Sequence, residues 1–185
     1  IKKSSSVFRG AITPYLPIHT WFINGLLGRS PRGKARRFDL VKKYINNPRY
    51  NIAGSYQPEG FPRKYNISNV GQYLKSPMTI KEMLTYRYII SVEGCDVASN
   101  LKWIMLSNCV VMMPIPTTVS WFMEDHLKPY VNYIPLKSNF SDLNKQFEWC
   151  EKNLDQCEQI ARESTLYAMK FYDYKNENKL NLTTD

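Results

Sequence analysis

Short apolar runs alternate with helical patterns along almost the whole chain of 185 residues, and this alternation constrains the fold more than any other feature. The run 88–92 (Tyr-Ile-Ile-Ser-Val) and the run 109–113 (Cys-Val-Val-Met-Met) are nearly all apolar. Strands of this composition are buried on both faces, which is typical of parallel sheets covered by helices. The sequence therefore predicts an α/β fold, with a Rossmann-like, mainly parallel sheet and flanking helices.

The remaining elements are predicted from periodicity and from capping residues. A further strand is expected to end at Val7-Phe8, and two more are expected to cover 50–53 and 131–136. The predicted helices begin at Ser30-Pro31 and at a Thr79/Glu82 capping box, and cover 99–108, 118–127, 141–153 and 155–172, with caps at Ser141 and at Asp155 with Glu158. Residues 1–174 are interpreted as one α/β domain with a long loop at about 54–77, and residues 175–185 as a polar tail.

The positive charge is concentrated at the start of the sequence. Residues 1–50 contain eleven of the 25 Lys and Arg residues but only one acid, Asp39. We expect an anionic partner for this segment, such as phosphate, nucleic acid or a lipid headgroup surface; a solvated face that only aids solubility is the alternative.

The cysteines and histidines do not form a metal-binding pattern. There is no Cys-x-x-Cys pair among the four cysteines, and the two histidines, His19 and His126, are isolated. No metal site is therefore assigned. Cys150 and Cys157 lie seven residues apart, and we expect both to be buried on one face of a helix.

The segment after the run 88–92 has the pattern most suggestive of a ligand site. In parallel sheets, ligands bind beyond the carboxyl ends of the strands, close to the starts of helices. Gly94 permits a sharp turn there, and Glu93 and Asp96 could accept hydrogen bonds from sugar hydroxyls. The sequence thus directs attention to the loop 93–100 as a candidate site for a sugar nucleotide.

The second half of this loop supplies donors for an anion. After Val97 and Ala98, the side chains of Ser99 and Asn100 lie at the expected helix start, where free backbone N–H groups and the helix dipole favour negative charge. Lys102 adds a positive charge one turn later. The spacing alone fits an ordinary capped helix after a buried strand slightly better than a ligand site, because no Gly-x-Gly-x-x-Gly or Walker lysine motif is present.

Two other segments are candidates for the same edge of the sheet. Arg9 and Gly10, with Thr13, follow the first strand. The basic segment comprises Arg29, Arg32, Lys34, Arg36 and Arg37. Adjacent helix positions project about 100° apart, so only one of the last two arginines is expected to face a cleft, where it could bind a phosphate bidentately.

Several of these segments together resemble glycosyltransferase family 90, which includes Rumi-type protein O-glucosyltransferases, fungal capsule-associated xylosyltransferases and bacterial lipopolysaccharide-modifying enzymes. The resemblance is ordered along the chain from about residue 5 to residue 172. It is carried by the run 88–108, by Phe-Arg-Gly-x-x-Thr at 8–13, by Arg-Phe-Asp-Leu-Val at 37–41, by Trp-Phe at 121–122, by the run 127–136 and by Asp-Leu at 142–143.

The resemblance implies the donor-binding lobe of a B-type glycosyltransferase. Members of this family use UDP-sugars such as UDP-glucose or UDP-xylose, invert the anomeric centre and need no metal or other cofactor. By position, Thr13 and Arg37 would contact the donor diphosphate, and the loop 93–102 would hold the nucleotide. The implied partners are the UDP-sugar donor and a glycan or protein acceptor, with a possible peripheral membrane contact and no nucleic acid.

Two departures from the family pattern affect these expectations. Rumi-type members carry arginine where this chain has Asn100, whereas Lys102 matches a family lysine. The family's catalytic carboxylate belongs to the acceptor-binding lobe, upstream of the Phe-Arg-Gly segment, and no residue of this chain matches it. Either a further segment is absent from this chain or the chain is a donor-binding lobe, and the catalytic base is not assigned.

A binding module without catalytic activity is the competing hypothesis. Its basic first quarter would dock on nucleic acid or on an anionic membrane, and such binding would fall steeply with salt. Aromatic side chains suited to base stacking, among them Tyr50 and Tyr65, interleave with Arg49 and Arg63. No nucleic-acid-binding motif accompanies them. The compartment follows the source: cytoplasmic or membrane-peripheral for a microbial or viral protein, and the secretory-pathway lumen for a eukaryotic one.

Overall fold

A sheet of five parallel strands forms the centre of the protein. The computed structural model describes residues 2–11, 37–56, 69–94 and 97–172. The strands are β1 (Lys3–Ala11), β2 (Tyr50–Tyr56), β3 (Tyr86–Ile90), β4 (Val110–Pro114) and β5 (Ile134–Leu136). The predicted α/β fold with a parallel sheet is confirmed, although the strand limits differ from the expected ones by a few residues.

The helices lie between and after these strands. They are α1 (Arg37–Tyr44), α2 (Ile80–Met83), α3 (Leu101–Met105), α4 (Leu143–Lys152) and α5 (Leu154–Met169), with 3-10 turns at Val70–Tyr73 and Glu124–His126. The described part of the chain contains no helix with both the length and the apolar character needed to cross a membrane.

The order of the strands creates a switch point in the sheet. The order is β2-β1-β3-β4-β5, so the chain moves outward from β1 to β2 and then returns to add β3 on the other side of β1. At such a point the loops leaving the two neighbouring strands diverge and open a crevice beyond their carboxyl ends. The crevice between β1 and β3 is therefore the expected place for a ligand.

Helices cover both faces of the sheet, which explains the continuous apolar strands. On one face, Tyr88 packs in a cluster with Leu40 of α1 and Phe147 of α4. On the other face, Ile89 packs with Ile104 of α3. Successive strand residues point to opposite faces, so a strand buried on both faces must be apolar at nearly every position.

Local capping was predicted correctly at one helix and wrongly at two others. The Thr79 hydroxyl accepts from the Glu82 N–H and the Glu82 carboxylate accepts from the Thr79 N–H, which confirms the capping box. Asp142, and not Ser141, precedes α4, and its carboxylate accepts from the Lys137 N–H. Asn153 precedes α5 and donates to the Trp149 carbonyl instead of capping the helix.

The predicted helix over 118–127 is wrong. The segment forms turns and the short 3-10 helix Glu124–His126. Met123 has a φ of 51°, in the left-handed region, which interrupts a right-handed helix. The Glu124 carboxylate accepts from the Ser120 N–H, so a side chain satisfies a donor that a helix would leave free at its start.

The helix predicted over 99–108 is shorter than expected, whereas the two helices predicted over 141–153 and 155–172 are present, with the break at Asn153. The structure gives only Leu101–Met105 for the first. Cys150 and Cys157 are both buried as predicted, but they belong to two successive helices, α4 and α5, and not to one. The break at Asn153 lets both side chains reach the same core cluster.

Candidate functional site

The carboxyl ends of β1, β3 and β4 meet at one edge of the sheet, and the candidate site lies in the loops that leave them. β1 ends at Gly10 and Ala11, β3 is followed by the segment 91–94, and β4 by the segment 115–118. Neighbouring parallel strands are only about 4.8 Å apart, so side chains of the three loops can contact one another.

The Arg37 side chain crosses from the first residue of α1 to the loop after β3. Its Nε donates to the Val92 carbonyl at 3.0 Å. A Cβ built on Gly94 would lie 3.2 Å from Arg37 Nη2 and 3.3 Å from Cζ. The guanidinium therefore packs directly against the backbone of Gly94, and a side chain at this position would crowd it. The structure thus brings Arg37 and the predicted loop together across the β1–β3 switch point.

A cleft lies on the other side of the same loop, between β3 and β4. Its enclosed space is small, about 20 Å³, and reaches about 380 Å³ only when the open mouth is counted. Its walls are mainly apolar, with polar atoms contributed by Ser91, Glu93 and Glu124. The apolar lining residues are Val97, Ala98, Leu101, Met113, Pro114, Ile115 and Pro116. An apolar cleft with a few polar groups is typical of a small-molecule site.

Glu93 joins the loop after β3 to the loop after β4. Its Oε1 accepts from the N–H groups of Thr117 and Thr118, at 2.9 Å each. Its Oε2 accepts from the Thr117 hydroxyl at 2.5 Å. The carboxylate predicted to accept from sugar hydroxyls is therefore already bonded to protein donors.

Lys102 is engaged with a buried carboxylate. Its Nζ lies 3.6 Å from Glu124 Oε1, and the Glu124 side chain is only 3% exposed. The ammonium also lies over the rings of Trp121 and Phe122, 5.0 and 5.3 Å from their centroids. The positive charge of Lys102 thus compensates a carboxylate in the wall of the cleft, and a contact with phosphate stays a prediction.

The start of α3 differs from the expected anion-binding helix start. Asn100 bonds through its Oδ1 to the Ser91 hydroxyl at 2.9 Å and makes no capping bond. Ser99 is exposed, while Ala98 is buried against the core. α3 has only five residues, so its dipole is small. Among the described residues, Arg37, and not the helix start, is the clearest cationic feature at this edge.

Arg9 belongs to the interface between β1 and β2. Its Nη1 donates to the Asn51 carbonyl at 2.8 Å and its Nη2 to Asn51 Oδ1 at 2.5 Å, while Nε reaches the Ser76 carbonyl at 3.4 Å. Burial lowers the pKa of the Arg9 guanidinium. Gly10 lies at the end of β1, where a Cβ would approach the Phe8 ring at 3.2 Å.

Other predicted features lie outside the described residues. These are Thr13, Asp96, the basic residues Arg29, Arg32, Lys34 and Arg36, and the tail 175–185. Their contacts with a donor, and the alternative of a basic docking module, stay predictions.

Sequence reasoning did not select Ser91, Thr117 and Glu124 as part of the site. Thr117 follows the Pro-Ile-Pro segment at the end of β4, and the carboxyl-edge rule applied to that strand would have found it. Glu124 is distant from every strand end in sequence, and only the packing of the 3-10 turn brings it to the cleft.

Metal ligands are not grouped in the part of the chain that the structure describes. No three His, Cys, Asp or Glu side chains there are placed so that they could hold a metal ion. Independence of metal stays a prediction.

Fold and motif define the class of this protein. Residues 28–176 match glycosyl transferase family 90, so the chain belongs to that family. This agrees with the resemblance carried by the run 88–108 and by the segment 37–41.

Named relatives give the class more detail. The chain is 40% identical over 99 residues to O-glucosyltransferase LpsA of Dichelobacter nodosus, covering 54% of this chain and 31% of that protein. It is 30% identical over 141 residues to human Protein O-glucosyltransferase 3, covering 76% of this chain and 27% of that protein. It is also 38% identical over 103 residues to protein 179R of Invertebrate iridescent virus 6, covering 52% of this chain and 8% of that protein. The chain therefore spans less than a third of the length of each.

Proposed function

We propose that this chain is the donor-binding part of a glycosyltransferase that transfers a sugar of the glucose or xylose class from a UDP-sugar to a hydroxyl group of a glycan or protein. The proposal includes inversion at the anomeric carbon and no requirement for metal. Membership of family 90 and the names of two O-glucosyltransferase relatives support it. The single observation that carries it is the position of Arg37 against Gly94 at the β1–β3 switch point.

Arg37 is well placed to bind the diphosphate. Its Nε bond to the Val92 carbonyl fixes the plane of the guanidinium at the exit of β3. The absence of a side chain at Gly94 lets a ligand approach both the loop backbone and the guanidinium. A planar guanidinium can donate two parallel hydrogen bonds to phosphate oxygens, which adds geometric specificity to the charge.

The cleft between β3 and β4 would take the nucleoside at its open mouth, since its enclosed space of about 20 Å³ is too small for one. It is reached from the same loop as Gly94, because Ser91 and Glu93 belong both to that loop and to the cleft wall. Its apolar side, formed by residues such as Val97 and Leu101, suits the flat face of a nucleobase, since apolar walls with few polar groups bury such rings.

In the proposed reaction, the acceptor hydroxyl oxygen attacks the anomeric carbon and the bond from that carbon to the β-phosphate oxygen breaks. The proton of the hydroxyl passes to a base that is not among the assigned residues. Negative charge develops on the departing UDP, and donors preorganised at that position lower the barrier. Arg37 would supply this stabilisation.

Isothermal titration of the purified chain with UDP tests the proposal. Arg37→Ala should weaken UDP binding by about 1.5–3 kcal/mol, the range for a hydrogen bond to a charged group. Arg37→Lys should recover only part of this, because an ammonium cannot donate bidentately. The matched control is Arg162→Ala, which removes an exposed arginine on α5, near the amino ends of β3 and β4.

The outcomes separate the parts of the proposal. Absence of heat at millimolar UDP, with circular dichroism showing a folded protein, would overturn donor binding by this chain. Equal affinities for wild type and Arg37→Ala would remove Arg37 from the site. A similar loss in Arg162→Ala would indicate attraction by general positive charge and not by a defined contact.

A further inference from the structure

The loop after β4 forms one wall of the cleft, and its own backbone gives it little support. Pro114 and Pro116 have no N–H group to donate. Among the described residues, no backbone carbonyl accepts from the N–H of Thr117 or Thr118. Ile115, between the two prolines, is 67% exposed, so core packing does not fix the loop either.

Glu93 supplies what the loop lacks. It satisfies both N–H groups, at 2.9 Å each, and also accepts from the Thr117 hydroxyl. A carboxylate has roughly four acceptor positions, and these bonds use three of them. The side chain therefore spans the cleft margin from the exit of β3 to the exit of β4, with little capacity remaining for a ligand.

The three bonds that Glu93 accepts from Thr117 and Thr118 do not by their geometry require a charged side chain. Both backbone N–H groups converge on one oxygen, Oε1, and the hydroxyl reaches the other. A glutamine could keep both bonds at its amide oxygen and donate from its amide nitrogen to the Thr117 hydroxyl, which would then act as acceptor. A charge-based contact with a ligand would not survive that change.

We propose that Glu93 is a positioning residue, which holds the segment 115–118 as a wall of the donor cleft, and that it does not contact the hydroxyl groups of the bound nucleotide sugar. The inference rests on the proposed function for its ligand. It assigns Glu93 a different role from the one that its sequence position suggests.

Amide hydrogen exchange of the free protein, followed by NMR or by mass spectrometry of peptides that contain 115–118, tests the positioning directly. We expect faster exchange at Thr117 and Thr118 in Glu93→Ala and near-wild-type exchange in Glu93→Gln. Exchange in Glu93→Ala that matches the wild type would overturn the inference. This measurement needs no ligand, so it stands even if the chain fails to bind UDP.

UDP titration of the same variants tests the consequence for the site. We expect Glu93→Gln to bind within about twofold of wild type and Glu93→Ala to bind about tenfold more weakly, because misplacing a wall residue disturbs ligand geometry. Equal weakening in both variants would overturn the inference and indicate that the charge contacts the ligand. A wild-type chain that does not bind UDP overturns the proposed function and the donor part of this inference, while exchange still decides the loop contact.

Thr117 provides a matched pair on the other side of the contact. Thr117→Ser keeps the hydroxyl and should bind UDP like the wild type. Thr117→Val removes only the bond to Glu93 Oε2. Its amide exchange rates and its UDP affinity should be intermediate between those of the wild type and those of Glu93→Ala. Thermal unfolding of all variants should differ little. Loss of UDP binding that tracks loss of stability across the series would instead show a role in folding alone.

Discussion

Two glutamates, Glu93 and Glu151, each accept several hydrogen bonds at opposite edges of the sheet, but they join different kinds of structure. At the carboxyl edge, Glu93 accepts from Thr117 and Thr118, which belong to a loop. At the amino edge, Glu151 near the end of α4 accepts from the Ser4 hydroxyl, from Tyr88 Oη at 2.6 Å and from Arg87 Nη1 at 3.3 Å.

The partners explain the difference in expected role. Ser4 lies on β1 and both Arg87 and Tyr88 lie on β3, so Glu151 ties regular elements of the fold to one another. Strands in a packed sheet unfold together, so bonds between them contribute to global stability. The bonds from Glu93 join a loop, so they contribute to the order of that loop and less to global stability. The comparison teaches that one residue type supports the fold at one edge and shapes a candidate site at the other.

The largest expected effect is on stability at the amino edge. Glu151→Ala should lower the free energy of unfolding by about 2–3 kcal/mol, because the buried Tyr88 hydroxyl loses its acceptor and Arg87 loses its ion pair. Urea unfolding followed by circular dichroism measures this, and UDP affinity should change less than twofold. A change below 0.5 kcal/mol, or a marked loss of UDP binding (about tenfold), would break the contrast between the edges.

The same cluster predicts a pH dependence. Burial alone would raise the pKa of Glu151, but hydrogen bonds from Ser4 and Tyr88 and the charge of Arg87 outweigh it, so the pKa lies below the ordinary value of 4.5. Since the folded pKa is depressed, the contribution to stability is complete above the unfolded pKa and disappears as the pH falls through the folded pKa.

The stability difference between wild type and Glu151→Gln isolates this contribution. It should be constant from pH 7 to about pH 5 and shrink below the ordinary carboxyl pKa, since protonated Glu151 resembles the amide. Urea unfolding at several pH values measures the difference. If it persisted undiminished to about pH 3, ionisation of Glu151 would have no part in it.

The smallest expected effect concerns the site itself. Gly94→Ala should weaken UDP binding about two- to fivefold, because the new methyl group would crowd the Arg37 guanidinium and shift it by a few tenths of an ångström. Stability should change little, since the end of a flexible side chain can move. Gly71→Ala is the control, because its nearest contact would be Asn69 Oδ1 at 3.4 Å, outside the site. Equal effects of both substitutions on UDP titration would contradict a site-specific contact.

The strands were predictable because burial on both faces leaves a strong signal. Runs such as 88–92 and 109–113 have few polar residues, so composition alone distinguishes them from strands with one solvent-exposed face. Capping at α2 was equally predictable, because Thr79 and Glu82 satisfy each other within one turn. Such local patterns do not depend on distant parts of the chain.

The segment 118–127 was less predictable because its conformation depends on a remote partner. Glu124 bonds to Ser120 locally, but its burial requires Lys102, which lies on α3. That contact is not visible in the residues 118–127 themselves. Tertiary contacts of this kind override local preference.

The sequence by itself determined the parallel α/β architecture and the edge of the sheet at which a ligand site is expected. The reason is that the apolar pattern of a buried strand is a property of residues that are neighbours in the sequence. Only the tertiary structure decided which of the candidate side chains meet. Arg37 packs against Gly94, Glu93 turns toward Thr117, and Lys102 pairs with Glu124. The physical reason is that these contacts join residues 22 to 57 positions apart, whose distances are set by the stacking of strands and not by spacing along the chain.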